Sequence, residues 1–162
     1  MKRFFSFVVV LIFLLALPSA YNPQVKGLKE GYIAPEVVLG DSIVYSSNVA
    51  GEGYTLIHFW ASYDAPSRIA NIKYDNALES IGQDKVRYVA VSYERNKALF
   101  GEIVRRDRLE SANQYYDMAG ENSEVYNLYR LNKGFATYLI DASGTIVAEN
   151  PSLQTLAQIL GE

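Results

Sequence analysis

Three polar residues that stand close together in the sequence have side chains that could do chemistry: His58, Asp64 and Ser67. A serine hydroxyl becomes a nucleophile when an adjacent base accepts its proton, and His58 is the single histidine of the chain. With Asp64 these are the residue types of a hydrolytic triad. The pattern does not favour that chemistry, because the chain has no G-x-S-x-G elbow and the Asp64 side chain is expected to point outward, away from His58.

Each of these residues also has a structural interpretation. A carboxylate at position 64 would cap a helix that begins at Pro66, because it can accept backbone N–H groups of the first turn, where proline is tolerated. His58 lies inside an apolar run and would be a neutral core histidine with both ring nitrogens paired. The sequence favours a helix cap at Asp64 and a paired core histidine at His58. A catalytic base at His58 is the alternative.

The chain contains no cysteine among its 162 residues. Thiol–disulfide exchange requires a thiolate that attacks a sulfur, so the chain has no residue for that reaction. One histidine without a close acidic cluster does not build a zinc site, and no nucleotide-binding motif occurs. We therefore predict no catalytic residue, no metal and no cofactor.

Residues 1–20 have the organisation of a secretory signal peptide, with Lys2 and Arg3 before an apolar run and small residues at the end. The run is short of the ~20 residues that span a bilayer. We expect cleavage and a periplasmic protein without stable membrane insertion, with a retained anchor as the alternative. Without Lys2 and Arg3, 13 basic residues stand against 18 acidic ones. This net charge of −5 argues against nucleic acid as a partner.

After the signal peptide we predict a flexible lead-in, 21–30, and one domain, 31–162. Apolar and β-branched runs predict strands, and apolar residues at helical spacing predict helices. The predicted strands lie at 36–39, 43–45, 55–60, 86–92, 114–118, 135–140 and 145–149. One predicted helix begins at Pro66, a second contains 99–104, a third spans 122–131 and a fourth contains 153–160. This order predicts an α/β fold with a central mixed β-sheet sandwiched by α-helices and an N-terminal β-hairpin.

Four segments between about residues 31 and 160 resemble secreted thioredoxin-like proteins of the TlpA/ResA type. They are APE at 34–36, FWAS at 59–62, AP at 65–66 followed by Arg68, and GFATYLID at 134–141. The resemblance implies a thioredoxin-like fold and descent from thiol-disulfide oxidoreductases. It also implies that His58 is a buried polar group beneath the site.

The chain departs from this family at its reactive positions. The degenerate active-site positions are Tyr63, Asp64, Ala65, Pro66 and Ser67, in which the aspartate and the serine replace the two cysteines of the family and the tyrosine replaces a tryptophan. Where the family has a cis-proline, this chain has alanine at position 136. A cis bond before alanine would cost ~2.5–4 kcal/mol, so the 135–136 bond is predicted to be trans.

The predicted binding groove consists of Trp60, Tyr63, Asp64, Phe135 and Ala136. Its occupant would be a protein or peptide, bound by a redox-inactive accessory protein. One alternative is an enzyme with replaced chemistry that uses Asp64 or a His58–Ser67 pair. Another is a thiol-disulfide oxidoreductase in fold only.

Tyrosine is abundant, with 13 in the chain. It suits binding surfaces because it buries area while keeping a polar tip. Ordinary half-buried packing is the favoured interpretation, and an aromatic face is the functional alternative. The face would consist of Tyr63, Tyr115, Tyr116, Tyr126 and Tyr129.

Overall fold

The computed structural model describes residues 25–48, 53–81 and 85–161. The elements follow the predicted order. They are β1 (Val37–Leu39), β2 (Ser42–Tyr45), β3 (Tyr54–Trp60), α1 (Ala65–Ile81), β4 (Val86–Ser92), α2 (Lys97–Arg106), β5 (Gln114–Tyr116), α3 (Glu124–Leu128), β6 (Thr137–Ile140), β7 (Ile146–Glu149) and α4 (Leu153–Leu160). The predicted signal peptide lies outside the described residues. Within the described ranges, none of the helices has the length and apolar composition needed to cross a membrane.

The central sheet has five strands in the order β5-β4-β3-β6-β7. Strand β4 is parallel to both β3 and β5, whereas β6 is antiparallel to β3 and β7. The predicted hairpin forms a separate antiparallel pair of β1 and β2. The prediction of a mixed sheet with an N-terminal hairpin is confirmed. Because β3 and β4 run side by side, the segments after Trp60 and after Ser92 lie at the same edge of the sheet.

Alternate residues of β3 enter two different hydrophobic layers, as the period of a strand requires. Ile57 and Phe59 pack in the layer that includes β1, β2 and α3. Leu56 and Trp60 pack in the layer that includes α1, α2 and α4. The sheet is therefore buried on both faces, which accounts for the unbroken apolar run of β3.

Residues 25–31 form backbone hydrogen bonds with Ile33 and with the start of β7, at the end of the sheet opposite to Trp60. The Gly27 N–H donates to the Ile33 carbonyl at 3.0 Å, and the Gly31 N–H donates to the Ile146 carbonyl at 2.8 Å. The turn between β6 and β7 also lies here. Its Gly144 has φ +83°, and a Cβ at this position would stand 2.5 Å from the Ser47 Cβ, so glycine is required both by conformation and by space.

Two elements end earlier than the sequence predicts, and three strands, β1, β6 and β7, begin one or two residues later. The helix predicted over 122–131 spans only Glu124–Leu128, because Ser123 caps it and Arg130 adopts the left-handed conformation at φ +52°. The strand predicted over 114–118 ends at Tyr116. Asp117 follows it, with its N–H bonded to the Ser92 carbonyl at 3.1 Å. The left-handed residue thus ends the helix, and after the strand the chain turns where the Asp117 carboxylate accepts the Ala119 N–H at 3.0 Å.

Candidate functional site

The first turn of α1 lies at the carboxyl edge of β3, where the degenerate positions were predicted. One Asp64 carboxylate oxygen accepts the Ser67 N–H at 2.9 Å, and the Asp64 carbonyl accepts the Arg68 N–H at 3.1 Å. The predicted N-cap is therefore confirmed. The segment from Ala61 to Arg68 is called the capped turn below.

The Ser67 hydroxyl is held inside this turn. It donates to the Asp64 carbonyl at 3.0 Å and accepts the Ala61 N–H at 3.3 Å. The residue is buried. Its oxygen therefore joins the end of β3 to the first turn of α1.

His58 lies beneath the capped turn and is buried. Its Nε2 is 2.9 Å from the Ser67 carbonyl oxygen, and its Nδ1 is 2.8 Å from the Thr137 hydroxyl oxygen. A carbonyl can only accept, so Nε2 carries the proton and Nδ1 accepts from Thr137. Burial lowers the pKa of His58 to about 4, against smaller opposing effects of the Ser67 carbonyl and the Asp64 charge. The ring is thus a neutral link between α1 and β6.

The alternative of a His58–Ser67 catalytic pair needs a hydrogen bond between an imidazole nitrogen and the serine hydroxyl. The structure instead directs Nε2 to the serine carbonyl, while the hydroxyl bonds to Asp64 and Ala61. Both ring nitrogens are engaged. This arrangement does not provide a base for a serine nucleophile.

The predicted groove is only partly formed by the residues assigned to it. Tyr63 is exposed by 53%, and its ring centroid lies 6.3 Å from that of Phe135. Phe135 and Ala136 are half-buried. Trp60 is wrong as a groove residue, because it is fully buried and packs near Phe100 in the layer of α1, α2 and α4.

A series of rings connects the surface with the core. Phe135 stacks on Tyr93 at 6.1 Å with 18° between the planes, and Tyr93 meets Tyr126 edge-on at 5.2 Å. We call Tyr63, Phe135, Tyr93 and Tyr126 the aromatic rim. The single face predicted from five tyrosines is not formed. Tyr129 is buried and Tyr115 packs against the core, while Tyr116 stacks on Phe100.

The loop before β6 is held from both sides. The Ala136 carbonyl accepts the Phe59 N–H at 3.1 Å. The Thr137 N–H donates to the Asn150 side chain at 2.8 Å, and the Thr137 carbonyl accepts the Asn150 N–H at 2.7 Å. No peptide bond within the described ranges is cis, so the prediction for the 135–136 bond is confirmed.

Glu94 is a site residue that was not predicted from the sequence, and it follows β4 next to the capped turn. One carboxylate oxygen of Glu94 accepts the Ser62 N–H, and the other is buried without a partner. The residue is exposed by only 3% and lies in the wall of a cleft of about 350 Å³ beside Tyr63. A sequence signal did exist: two parallel neighbouring strands end at Trp60 and Ser92, so 61–64 and 93–95 must lie close together.

No group of three or more His, Asp or Glu side chains in the described ranges is arranged to hold a metal ion. The acidic groups near the site, Asp64, Glu94 and Glu121, come from separate segments. The polar groups of the site are carboxylates, tyrosine hydroxyls and backbone amides.

No family model matches the chain, and no curated protein matches it. Solved structures do. A thioredoxin-like protein from Parabacteroides distasonis is 33% identical, with a TM-score of 0.76 over 85% of this chain and 98% of that one. The C-terminal domain of a putative thiol-disulfide oxidoreductase from Bacteroides thetaiotaomicron is 25% identical, with a TM-score of 0.68 over 82% and 94%. A thiol-disulfide oxidoreductase from Bacteroides fragilis, at 22% identity, has a TM-score of 0.65 over 80% and 97% and supports the fold.

Proposed function

Because the chain belongs to the thioredoxin-like superfamily and contains no cysteine, we propose that it is a redox-inactive binding protein for a protein or peptide partner. Its own residues cannot form the mixed disulfide on which thiol–disulfide exchange depends. The positions that would carry the cysteines hold Asp64 and Ser67, which bond to the helix that they begin. The proposed role therefore rests on what lies around these positions.

The exposure of Tyr63 carries the proposal. A tyrosine ring that is 53% exposed sits on the capped turn, where the superfamily has its active site. It is supported from behind by Phe135 and, through Phe135, by Tyr93. A rigid aromatic group with a polar tip suits the centre of a protein interface. A partner that packs on this ring would bury it with little loss of side-chain freedom.

We also propose that the protein acts in the periplasm. Residues 1–20 have the features of a secretory signal, and the resemblance is to secreted proteins, so we place the protein in the periplasm. A cysteine-free chain cannot form mixed disulfides with the oxidising enzymes of that compartment. Partner contacts there would depend on non-covalent surfaces such as the aromatic rim.

The test is partner capture that depends on the aromatic rim. Immobilised protein is incubated with periplasmic extract from the source cells, and the bound proteins are quantified for wild type and for the variants Tyr63→Ser and Phe135→Ser. Loss of a central aromatic contact should reduce affinity by about 2 kcal/mol, roughly thirty-fold. Tyr63→Phe keeps the ring and should retain most of the binding.

Ile43→Ser is the matched control. Ile43 is exposed by 64%, so it is an accessible apolar side chain like Tyr63. It lies at the opposite end of the central sheet, because the carbonyl of its neighbour Val44 accepts a hydrogen bond from Arg87 near the start of β4. The control should capture the same proteins as wild type. Equal capture by Tyr63→Ser and by Ile43→Ser would refute the aromatic rim as the binding surface.

A further inference from the structure

The cleft beside Tyr63 lies between the carboxyl edge of the sheet and the segment that follows β5. Its walls include Tyr63, Tyr93, Glu94, Tyr116, Met118 and Glu121. Its volume of about 350 Å³ falls in the range of small-ligand sites. We call it the acidic cleft.

The buried carboxylate of Glu94 is incompletely paired. One oxygen accepts the Ser62 N–H, while the other has no hydrogen-bond partner. A buried acceptor without a donor is unfavourable, more so when it is charged. Arg68 is near enough for its charge to interact with Glu94. Its guanidinium, however, forms a bidentate pair with Asp107, at 2.6 Å for Nε and 2.5 Å for Nη2.

The surrounding charges are mainly negative. Glu121 is exposed on the wall of the cleft. Asp117 stands between two wall residues in the sequence and is exposed by only 3%, and its carboxylate accepts the Ala119 N–H and interacts with the Tyr93 hydroxyl. The pKa of Tyr63 is raised, first by partial burial and then by neighbouring groups that include Glu121 and Glu94. Arg95, an exposed residue of the wall, opposes this negative field.

The same walls carry aromatic rings. Tyr63, Tyr93 and Tyr116 come from three different segments and all line the cleft. The faces of such rings attract organic cations, most strongly where water is excluded. Met118 adds an apolar, adaptable side chain that is exposed by 83%. Carboxylates combined with ring faces match a guanidinium or an alkylammonium group, which carries N–H donors on an apolar stem.

We propose that the acidic cleft binds the cationic head of an arginine or lysine side chain presented by a polypeptide partner, with Glu94 as its principal acceptor. The inference rests on the proposed function, because Tyr63 belongs both to the aromatic rim and to the cleft wall. A chain segment that packs on the rim can thus place a basic side chain in the cleft. Arginine is the better fit of the two, since its planar head can bond to a carboxylate and stack on a ring at once.

In the test, a probe is titrated into the ¹⁵N-labelled protein, and the backbone amide shifts are measured by NMR at each addition. The probes are N-acetyl-arginine methylamide and N-acetyl-citrulline methylamide, which have nearly the same shape and differ in charge. The Ser62 N–H is the reporter, because it donates to Glu94. We expect a saturable shift with the arginine probe and an affinity about tenfold lower for the citrulline probe.

Substitutions assign the preference to a residue. Glu94→Gln keeps the shape and an acceptor for Ser62 but removes the charge, and should abolish the preference for arginine. Glu121→Gln should weaken it less, because exposed charges are screened. Glu102→Gln is the control, since Glu102 pairs with Arg106 on the surface of α2. Urea midpoints like that of wild type would verify folding.

A short peptide with a central arginine separates a partner segment from a small amine. Tighter binding of the peptide than of the amino-acid probe, with loss of that gain in Tyr63→Ser, supports a polypeptide ligand. Equal binding of both would assign the cleft to small amines and overturn the polypeptide part of the proposal. Equal affinities for arginine and citrulline, full preference in Glu94→Gln, or no saturable shift would overturn the cleft as a cation site. Rim-dependent partner capture could still hold in these cases, so the two proposals fail separately.

Discussion

The capped turn and the acidic cleft share the carboxyl edge of the sheet, yet they differ in how their polar groups are paired. In the capped turn, the polar groups of Asp64, Ser67 and the underlying His58 bond to the backbone or to the Thr137 hydroxyl at 2.8–3.3 Å. In the cleft, Glu94 keeps a buried oxygen without a partner. A paired group stabilises its own structure, while a buried unpaired one is a candidate for binding a ligand. Asp64 and Ser67, at the positions of the family's cysteines, now stabilise the first turn of α1. The carboxylate oxygen that is still able to accept a hydrogen bond belongs to Glu94, in the neighbouring cleft.

Acidification should produce the largest effect, through His58. Its pKa in the folded protein, about 4, is lower than the ordinary value of 6.5 because of burial. Between these values the unfolded chain binds a proton that the folded protein does not. Stability is therefore complete above pH 6.5 and is lost as the pH falls toward 4, by roughly 3 kcal/mol at 1.36 kcal/mol per unit.

Urea unfolding at pH 7, 6, 5 and 4 measures this loss. His58→Gln removes the titrating ring and is the control, since the carboxylates still titrate in it. The difference between the two curves should grow from pH 6.5 downward. Parallel curves would mean that the ring is not held neutral, and that the capped turn is less firmly paired than the geometry indicates.

Asp64→Ala should have an intermediate effect. It removes the acceptor of the Ser67 N–H, and loss of an N-cap costs about 1 kcal/mol. Chemical denaturation at pH 7 checks the value, with Asp64→Asn as the control that keeps an acceptor. If Asp64→Ala were more stable than wild type, the carboxylate would be maintained at a structural cost, and the contrast between the two regions would disappear.

Glu94→Gln should have the smallest effect on stability. The substitution removes a buried charge with an unpaired oxygen, so we expect the free energy of unfolding to be unchanged or to rise by up to about 1 kcal/mol. The same denaturation experiment measures it. A loss of more than about 1 kcal/mol would place Glu94 with the capped turn, as a group that holds the fold.

The fold was largely predictable because its signals are local. The apolar run of β3, proline in the first turn of α1 and glycine in the β6–β7 turn each determine an element with little help from the rest of the chain. The cap at Asp64 was predictable for the same reason, since its partner is three residues away.

The site was less predictable because its contacts are distant in sequence. Trp60 was assigned to the groove although a strand that is buried on both faces leaves no outward position at its end. Glu94 resembles an ordinary polar residue after a strand, and only the pairing of β3 with β4 brings it to Ser62, 32 residues away. His58 was correctly placed under Ser67, but which oxygen of the serine it meets depends on the backbone of α1.

The burial of Trp60 also determines how the protein emits light. It is the chain's one tryptophan, it is 0% exposed, and its indole N–H has no hydrogen-bond partner. An indole in such apolar surroundings fluoresces at short wavelength and shifts to the red when water reaches it. Tyr74 and Tyr88, which pack in the same hydrophobic layer, can transfer excitation to this ring while the protein is folded. Unfolding should therefore give two simultaneous optical signals, a red-shifted tryptophan band and a recovered tyrosine band, from the unmodified protein.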